Sequence, residues 1–186
     1  MKKVLLGIAA SVLACGSAFA ERGDALKPVR VLAASGVANM VNQGGVFEGN
    51  VELTRGTLIL KADKLNLTED PQGYHSATLF AGAGALATVR QKRAGGGDLW
   101  VEGEAERIDY DDKNDTLRLT GRAKVRNLDG TKVTYSADGP FISYDNRKEL
   151  FSLNTPTGQK KVGDGRVEMI FDQKARPAAP AAPGKQ

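Results

Sequence analysis

Beyond the first twenty residues, apolar and polar side chains alternate in short runs: Val51-Glu52-Leu53, Leu65-Asn66-Leu67, Leu117-Arg118-Leu119 and Val133-Thr134-Tyr135. A period of two places every second side chain on one face, the pattern of a strand with one side buried. No stretch carries apolar residues at the three-and-four spacing of an amphipathic helix. About every eight to twelve residues the runs are interrupted by turn formers. These are Gln43-Gly44-Gly45, Asp70-Pro71-Gln72-Gly73, Asp112-Lys113-Asn114-Asp115, Asp129-Gly130 and Asp145-Asn146. The pattern predicts an all-β chain of about a dozen short antiparallel strands.

A weak internal repeat refines this. Ala62-Asp63-Lys64-Leu65-Asn66-Leu67, Ala105-Glu106-Arg107-Ile108-Asp109-Tyr110 and Ala137-Asp138-Gly139-Pro140-Phe141-Ile142 each set a small residue and an acid before apolar positions. A companion unit, glycine followed by alternating residues, occurs at Gly49-Asn50-Val51-Glu52-Leu53 and Gly121-Arg122-Ala123-Lys124-Val125, and each is followed by Gly-Thr, at Gly56-Thr57 and Gly130-Thr131. The acids lie 43 and 32 residues apart, too irregular for a propeller or strict solenoid but natural for stacked hairpins with loops of unequal length. The glycine-rich stretch Arg90-Gln91-Lys92-Arg93-Ala94-Gly95-Gly96-Gly97 reads as a loop between strands. Residues 173–186, with Arg176-Pro177-Ala178-Ala179-Pro180-Ala181-Ala182-Pro183, read as a disordered Pro/Ala-rich tail.

Residues 1–20 have the layout of an export signal: Lys2 and Lys3, an apolar stretch from Val4 to Leu13, and Ala18-Phe19-Ala20 as an A-x-A cleavage site before Glu21. Val12-Leu13-Ala14-Cys15 matches a lipobox only loosely, because leucine before the small residue is atypical. With Cys15 removed the mature chain has no cysteine, so packing and hydrogen bonds must stabilise it without disulfides. The expected organisation is a signal peptide over 1–20, one domain over 21–172 and the tail over 173–186.

Charge and chemistry exclude more than they suggest. The chain has 26 Lys and Arg against 22 Asp and Glu, a net charge of +4, but the body from Glu21 to Asp172 holds 21 basic and 22 acidic residues. A nearly neutral body implies no phosphate-binding surface and no nucleic-acid partner. The single histidine, His75, sits in a polar turn with no second histidine or cysteine to complete a metal site or triad. Asp109-x-Asp111-x-Lys113 fails the calcium-loop template, with a cation at the fifth position and Asn114 at the sixth. Glu102, Glu104 and Glu106 are spaced for the solvated face of a strand. Gly82-Ala83-Gly84-Ala85-Leu86-Ala87 fits the loose dinucleotide fingerprint, but no helix follows it, and close strand packing is the better use of its glycines. No catalytic residue, metal or cofactor is expected. A secreted polysaccharide hydrolase would need an acid pair such as Glu104 and Asp109.

One run carries a family resemblance. Gly49-Asn50-Val51-Glu52-Leu53-Thr54-Arg55-Gly56-Thr57-Leu58-Ile59-Leu60-Lys61-Ala62-Asp63-Lys64-Leu65 resembles the signature of the LptA (OstA-like) family of periplasmic lipopolysaccharide transport proteins. Three further stretches are similar, in the same order: Val101-Glu102-Gly103-Glu104-Ala105 with Ile108 and Tyr110, Leu119-Thr120-Gly121-Arg122-Ala123, and Val133-Thr134-Tyr135 leading to Tyr144. The resemblance implies an OstA-like fold, a twisted open β-jellyroll of stacked antiparallel hairpins, non-catalytic, whose apolar groove holds the acyl chains of lipid A. It implies lipid contact at Val29, Val31, Leu58, Leu60, Val89, Ile108 and Tyr110. Val89 stands where the family has an aromatic residue, and Ala33-Ala34-Ser35 where an acid is usual. In an open groove a charge at Ile108 reaches water, so Ile108→Asp is expected to leave the strands intact. The resemblance further implies head-to-tail homo-oligomers by edge-strand pairing, with Arg166-Val167-Glu168-Met169-Ile170-Phe171 as one edge. The implied partners are lipopolysaccharide, an inner-membrane lipopolysaccharide export complex and an outer-membrane lipopolysaccharide assembly protein. An inner-membrane-anchored relative of the same fold is the alternative, and the A-x-A site argues against it.

Overall fold

In the computed structural model, residues 24, 27–39, 41, 43–93, 97–153 and 167–172 are described. The expected signal peptide and tail, and Arg166, lie outside the described residues. The described residues contain twelve strands and no α-helix. The strands are β1 (Arg30–Leu32), β2 (Ser35–Asn39), β3 (Gly44–Arg55), β4 (Leu58–Glu69), β5 (His75–Phe80), β6 (Ala87–Lys92), β7 (Leu99–Ala105), β8 (Arg107–Asp111), β9 (Thr116–Asp129), β10 (Lys132–Asp145), β11 (Leu150–Ser152) and β12 (Glu168–Phe171).

All pairings are antiparallel, and the four longest strands have different neighbours along their two halves. The first half of β4 pairs with β6 and the second with β5; β9 pairs first with β8 and then with β7. In the same way β3 serves β2 and β1, and β10 serves β12 and β11. The single hydrogen-bonded sheet is therefore folded into two layers that share β3, β4, β9 and β10. One layer runs β1-β3-β4-β6-β7-β9-β10-β12, the other β2-β3-β4-β5-β8-β9-β10-β11.

Each long strand bends where it passes between layers. Gly49 and Asn50, at φ 81° and 47°, together oppose Asp63, and Gly121 and Arg122, at φ 78° and 47°, together oppose Pro140. Two residues facing one make a β-bulge, which kinks the strand and increases its twist. Backbone hydrogen bonds tie the bends into a spine: Ala34 donates to Gly49, Ala81 to Glu106 and Glu106 to Gly121, each at 2.9 Å. The repeat seen in the sequence marks this spine. Ala62-Asp63 and Ala105-Glu106 sit at bends, and Ala137-Asp138 immediately precedes the bend at Pro140.

Between the layers lies the core. In the first layer a register row, Val31-Leu53-Leu60-Val89-Gly103-Val125-Ala137-Met169, crosses all eight strands. In the second, Phe47-Leu65-Leu79-Ile108-Leu119-Ile142 does the same over six. Gly103 interrupts the first row because a Cβ there would stand 2.8 Å from Leu119 Cδ2 and 3.0 Å from Val89 Cγ1, so its lack of a side chain lets the opposite layer seat.

Several local expectations are adjusted. Val133 is 40% exposed, turned out by a register shift before Tyr135. The Arg90–Gly97 stretch is strand as far as Lys92. Of the glycines after β5, Gly82 is tightly placed, with a Cβ 3.0 Å from that of Asp63, whereas Gly84 has open space and a φ of 77°, and so serves a turn.

Candidate functional site

The interior is built by alternation. Along β3, Val51, Leu53 and Arg55 are buried, along β4 Leu58 and Leu60, along β6 Ala87, Val89 and Gln91, and along β8 Ile108 and Tyr110, with Asp112 continuing the series. The seven residues expected to meet lipid all face this space. Val31, Leu60 and Val89 share one row, Leu58 lies beside it, and Ile108 and Tyr110 face them from the other layer. Val29 and Val31 are half-buried and packed against the core.

The depth of the site corrects one expectation. Ile108 is 0% exposed, held in register between Leu79 and Leu119 two residues from the spine at Glu106. A charge there cannot reach water, so Ile108→Asp is expected to unfold the protein. At the expected edge, the strand is Glu168–Phe171; Val167 precedes it, and all five residues are exposed.

Polar groups within the interior were not anticipated. Arg55 and Asp112, 7% and 8% exposed, form an ion pair between the two layers, and the Tyr110 hydroxyl donates to Asp112 at 3.4 Å. Burial works against the Arg55 charge, but the Asp112 carboxylate outweighs it and holds the guanidinium pKa above its ordinary value. Burial, with the nearby Asp112 charge, pushes the Tyr110 phenol well up, so it stays neutral. The strict inward alternation of Val51-Leu53-Arg55 and Ile108-Tyr110-Asp112 is the sequence signal that could have found both charges.

Of the acids considered for hydrolysis, Asp109 is engaged by neighbouring side chains and Glu104 lies on the outer face of its strand. Glu102 and Glu104 point outward on β7, Glu102 pairing with Arg90 and Arg126, and Asp109 accepts from Thr78 and pairs with Arg107. His75 faces Glu69 across the β4–β5 ladder at 3.3 Å. What the arrangement offers is a continuous apolar interior between the two layers, with a polar end at Arg55 and Asp112.

Known proteins resemble this chain in sequence and in fold. The family described as LptA/(LptD N-terminal domain) LPS transport protein matches residues 30–150. The lipopolysaccharide export system protein LptA of Haemophilus influenzae is 29% identical over 150 residues, covering 81% of this chain and 83% of that protein. LptA of Escherichia coli K12 is 34% identical over 135 residues, covering 70% and 71%. The crystal structure of LptH from Pseudomonas aeruginosa, the LptA-homologous periplasmic component of that organism's lipopolysaccharide transport device, superposes with a TM-score of 0.71 at 23% identity. It covers 81% of this chain and 99% of its own, and shows that the fold is shared. By the span that the family model matches and its 34% identity to the Escherichia coli protein, the chain belongs to the LptA/LptD N-terminal domain family of lipopolysaccharide transport proteins.

Proposed function

We propose that this protein is a non-catalytic periplasmic bridge for lipopolysaccharide, taking it from an inner-membrane export complex toward an outer-membrane assembly protein with the acyl chains held between its two layers. The observation that carries this is the apolar row running across all eight strands of the first layer, because a channel must be continuous from end to end. Each buried methylene contributes about 0.8 kcal/mol, so an aliphatic chain laid along such a row is held without any specific polar contact. Family membership supports the cargo, and free edges support the continuation of the slot into neighbours. At one end β1 and β2 each pair only with β3, and at the other β11 and β12 each pair only with β10, among the described residues. Exposed apolar residues mark both ends, Val37 at 76% and Phe171 at 69%. An open edge is an aggregation hazard unless strand addition is its purpose.

The test is photocrosslinking in cells. A crosslinker at Leu60, inside, is expected to yield lipopolysaccharide adducts, and one at Glu104, on the outer face of β7, is expected to yield none. Equal labelling from both positions would remove the interior as the cargo site.

A further inference from the structure

The two layers are joined along the spine, and the strand ends remote from the bends form the opposite margin of the interior. In the first layer this margin comprises the Gly56-Thr57 turn and the end of β6; in the second it comprises the turns at Asp112–Asp115 and Asn146–Glu149. Among the described residues, two ion pairs cross it. Arg55 reaches Asp112, and Arg93 Nη2 reaches Glu149 Oε2 at 2.5 Å. The rings of Tyr135 and Phe151 stack across the same margin with centroids 5.3 Å apart. Arg55 also donates from Nε to the Lys27 carbonyl at 3.3 Å, drawing in the segment before β1.

Charges are an unusual way to close an apolar interior. Apolar side chains of similar volume would close it at least as firmly, because the desolvation of two ions offsets most of their attraction. The same balance makes an ion pair easy to open, since both ions regain water when they part. What resists opening is then the apolar surface behind the pair, and an aliphatic chain entering the slot covers that surface. We infer that Arg55–Asp112 and Arg93–Glu149 are a clasp, shut across the margin and parted by incoming cargo. The inference rests on the reading of the interior as a lipid slot.

The test places spin labels on cysteines at Lys92 and Lys113, exposed positions on either side of the margin, in the full chain with Cys15, the sole cysteine, replaced by serine. The otherwise unaltered protein should give one short separation. Asp112→Asn combined with Glu149→Lys keeps the Tyr110 partner but sets like charges against each other at Arg93, and should shift the distribution to longer separations without any lipid. Identical distributions would overturn the clasp. Should the double variant lose its circular dichroism signal, Asp112→Asn and Glu149→Lys are each compared singly with the unaltered protein, and unchanged distributions in both would overturn the clasp. Purified lipopolysaccharide should move the unaltered protein to the longer separation, and joining the two cysteines with a short bismaleimide should abolish lipopolysaccharide capture. Capture undiminished by the staple would also overturn the clasp. Failure of the unaltered protein to capture lipopolysaccharide would sink the cargo reading, while the lipid-free comparison still decides the clasp.

Discussion

Asp115 closes the turn between β8 and β9 at a φ of 53°, accepting a hydrogen bond from Asn146 Nδ2 at 3.1 Å. Burial raises its pKa, the Asn146 bond and Arg147 oppose the rise, and the Asp112 and Asp145 charges add to it. A raised carboxyl stabilises the fold fully below the ordinary aspartate pKa, and that contribution is lost as pH climbs through the raised value, so at neutrality the charge is a net cost. Asparagine keeps the accepting oxygen and tolerates positive φ well. Asp115→Asn should therefore melt at a higher temperature than the parent at pH 7, with the advantage vanishing once the buffer falls below the ordinary aspartate range; thermal melts across pH check this. At this scale the sequence was informative wherever a side chain obeyed its polarity. Leu58, Leu60, Ile108 and Tyr110 were read inward and Glu102 and Glu104 outward, as they stand. Arg55 and Asp112 defied that logic: charge argues for solvent, and only pairing with a partner 57 residues away makes their inward positions tolerable.

Strands and turns were readable because alternation and turn chemistry are local, and the turns at Asp70, Asp112, Asp129 and Asp145 all separate strands as expected. The bends were readable only in disguise. On the side of a bulge with two residues the inward parity persists, from Leu119 to Ala123, so the sequence looks like one uninterrupted strand. On the one-residue side parity slips, from Leu60 to Leu65 on β4, and it slips likewise from Ala105 to Ile108 across the β7–β8 corner. The repeated small-acid-apolar unit is this slip, a small residue at the bend and an acid on its outer side. What no local pattern could reveal was that the two halves of a strand belong to different layers, since that depends on neighbours far along the chain. The last strand supplies a prediction. Asp172 donates to Thr134, so by antiparallel alternation the amides of Phe171, Met169 and Val167 face away from β10, toward the free side. Val167→Pro removes one such donor without touching the ladder to β10, and should leave a folded monomer where the parent forms concentration-dependent rods. A parent that scatters as a strict monomer at every concentration would contradict the edge-pairing reading.

Across the whole molecule, position relative to spine and ends decides what a substitution does. Ile108→Asp buries an unpaired charge beside the spine, a cost of several kcal/mol against a total stability of about 5–15 kcal/mol, and should abolish the strand signal in circular dichroism. Val31→Asp alters a half-buried position on a three-residue edge strand, should remain folded, and should lose lipopolysaccharide capture. Similar loss of structure in both variants would show that depth does not grade the interior. The order of strands along each layer is the order of the chain, and this has a consequence for how the protein comes into being. The most distant residues paired by any ladder, Tyr135 and Phe171, lie 36 positions apart. For a β-sandwich that is a short reach, so little loop-closure entropy stands between a nascent segment and its partners. A chain that emerges amino terminus first can add each strand to those already formed, and an open strand edge waits for at most two intervening strands, as β5 waits for β8.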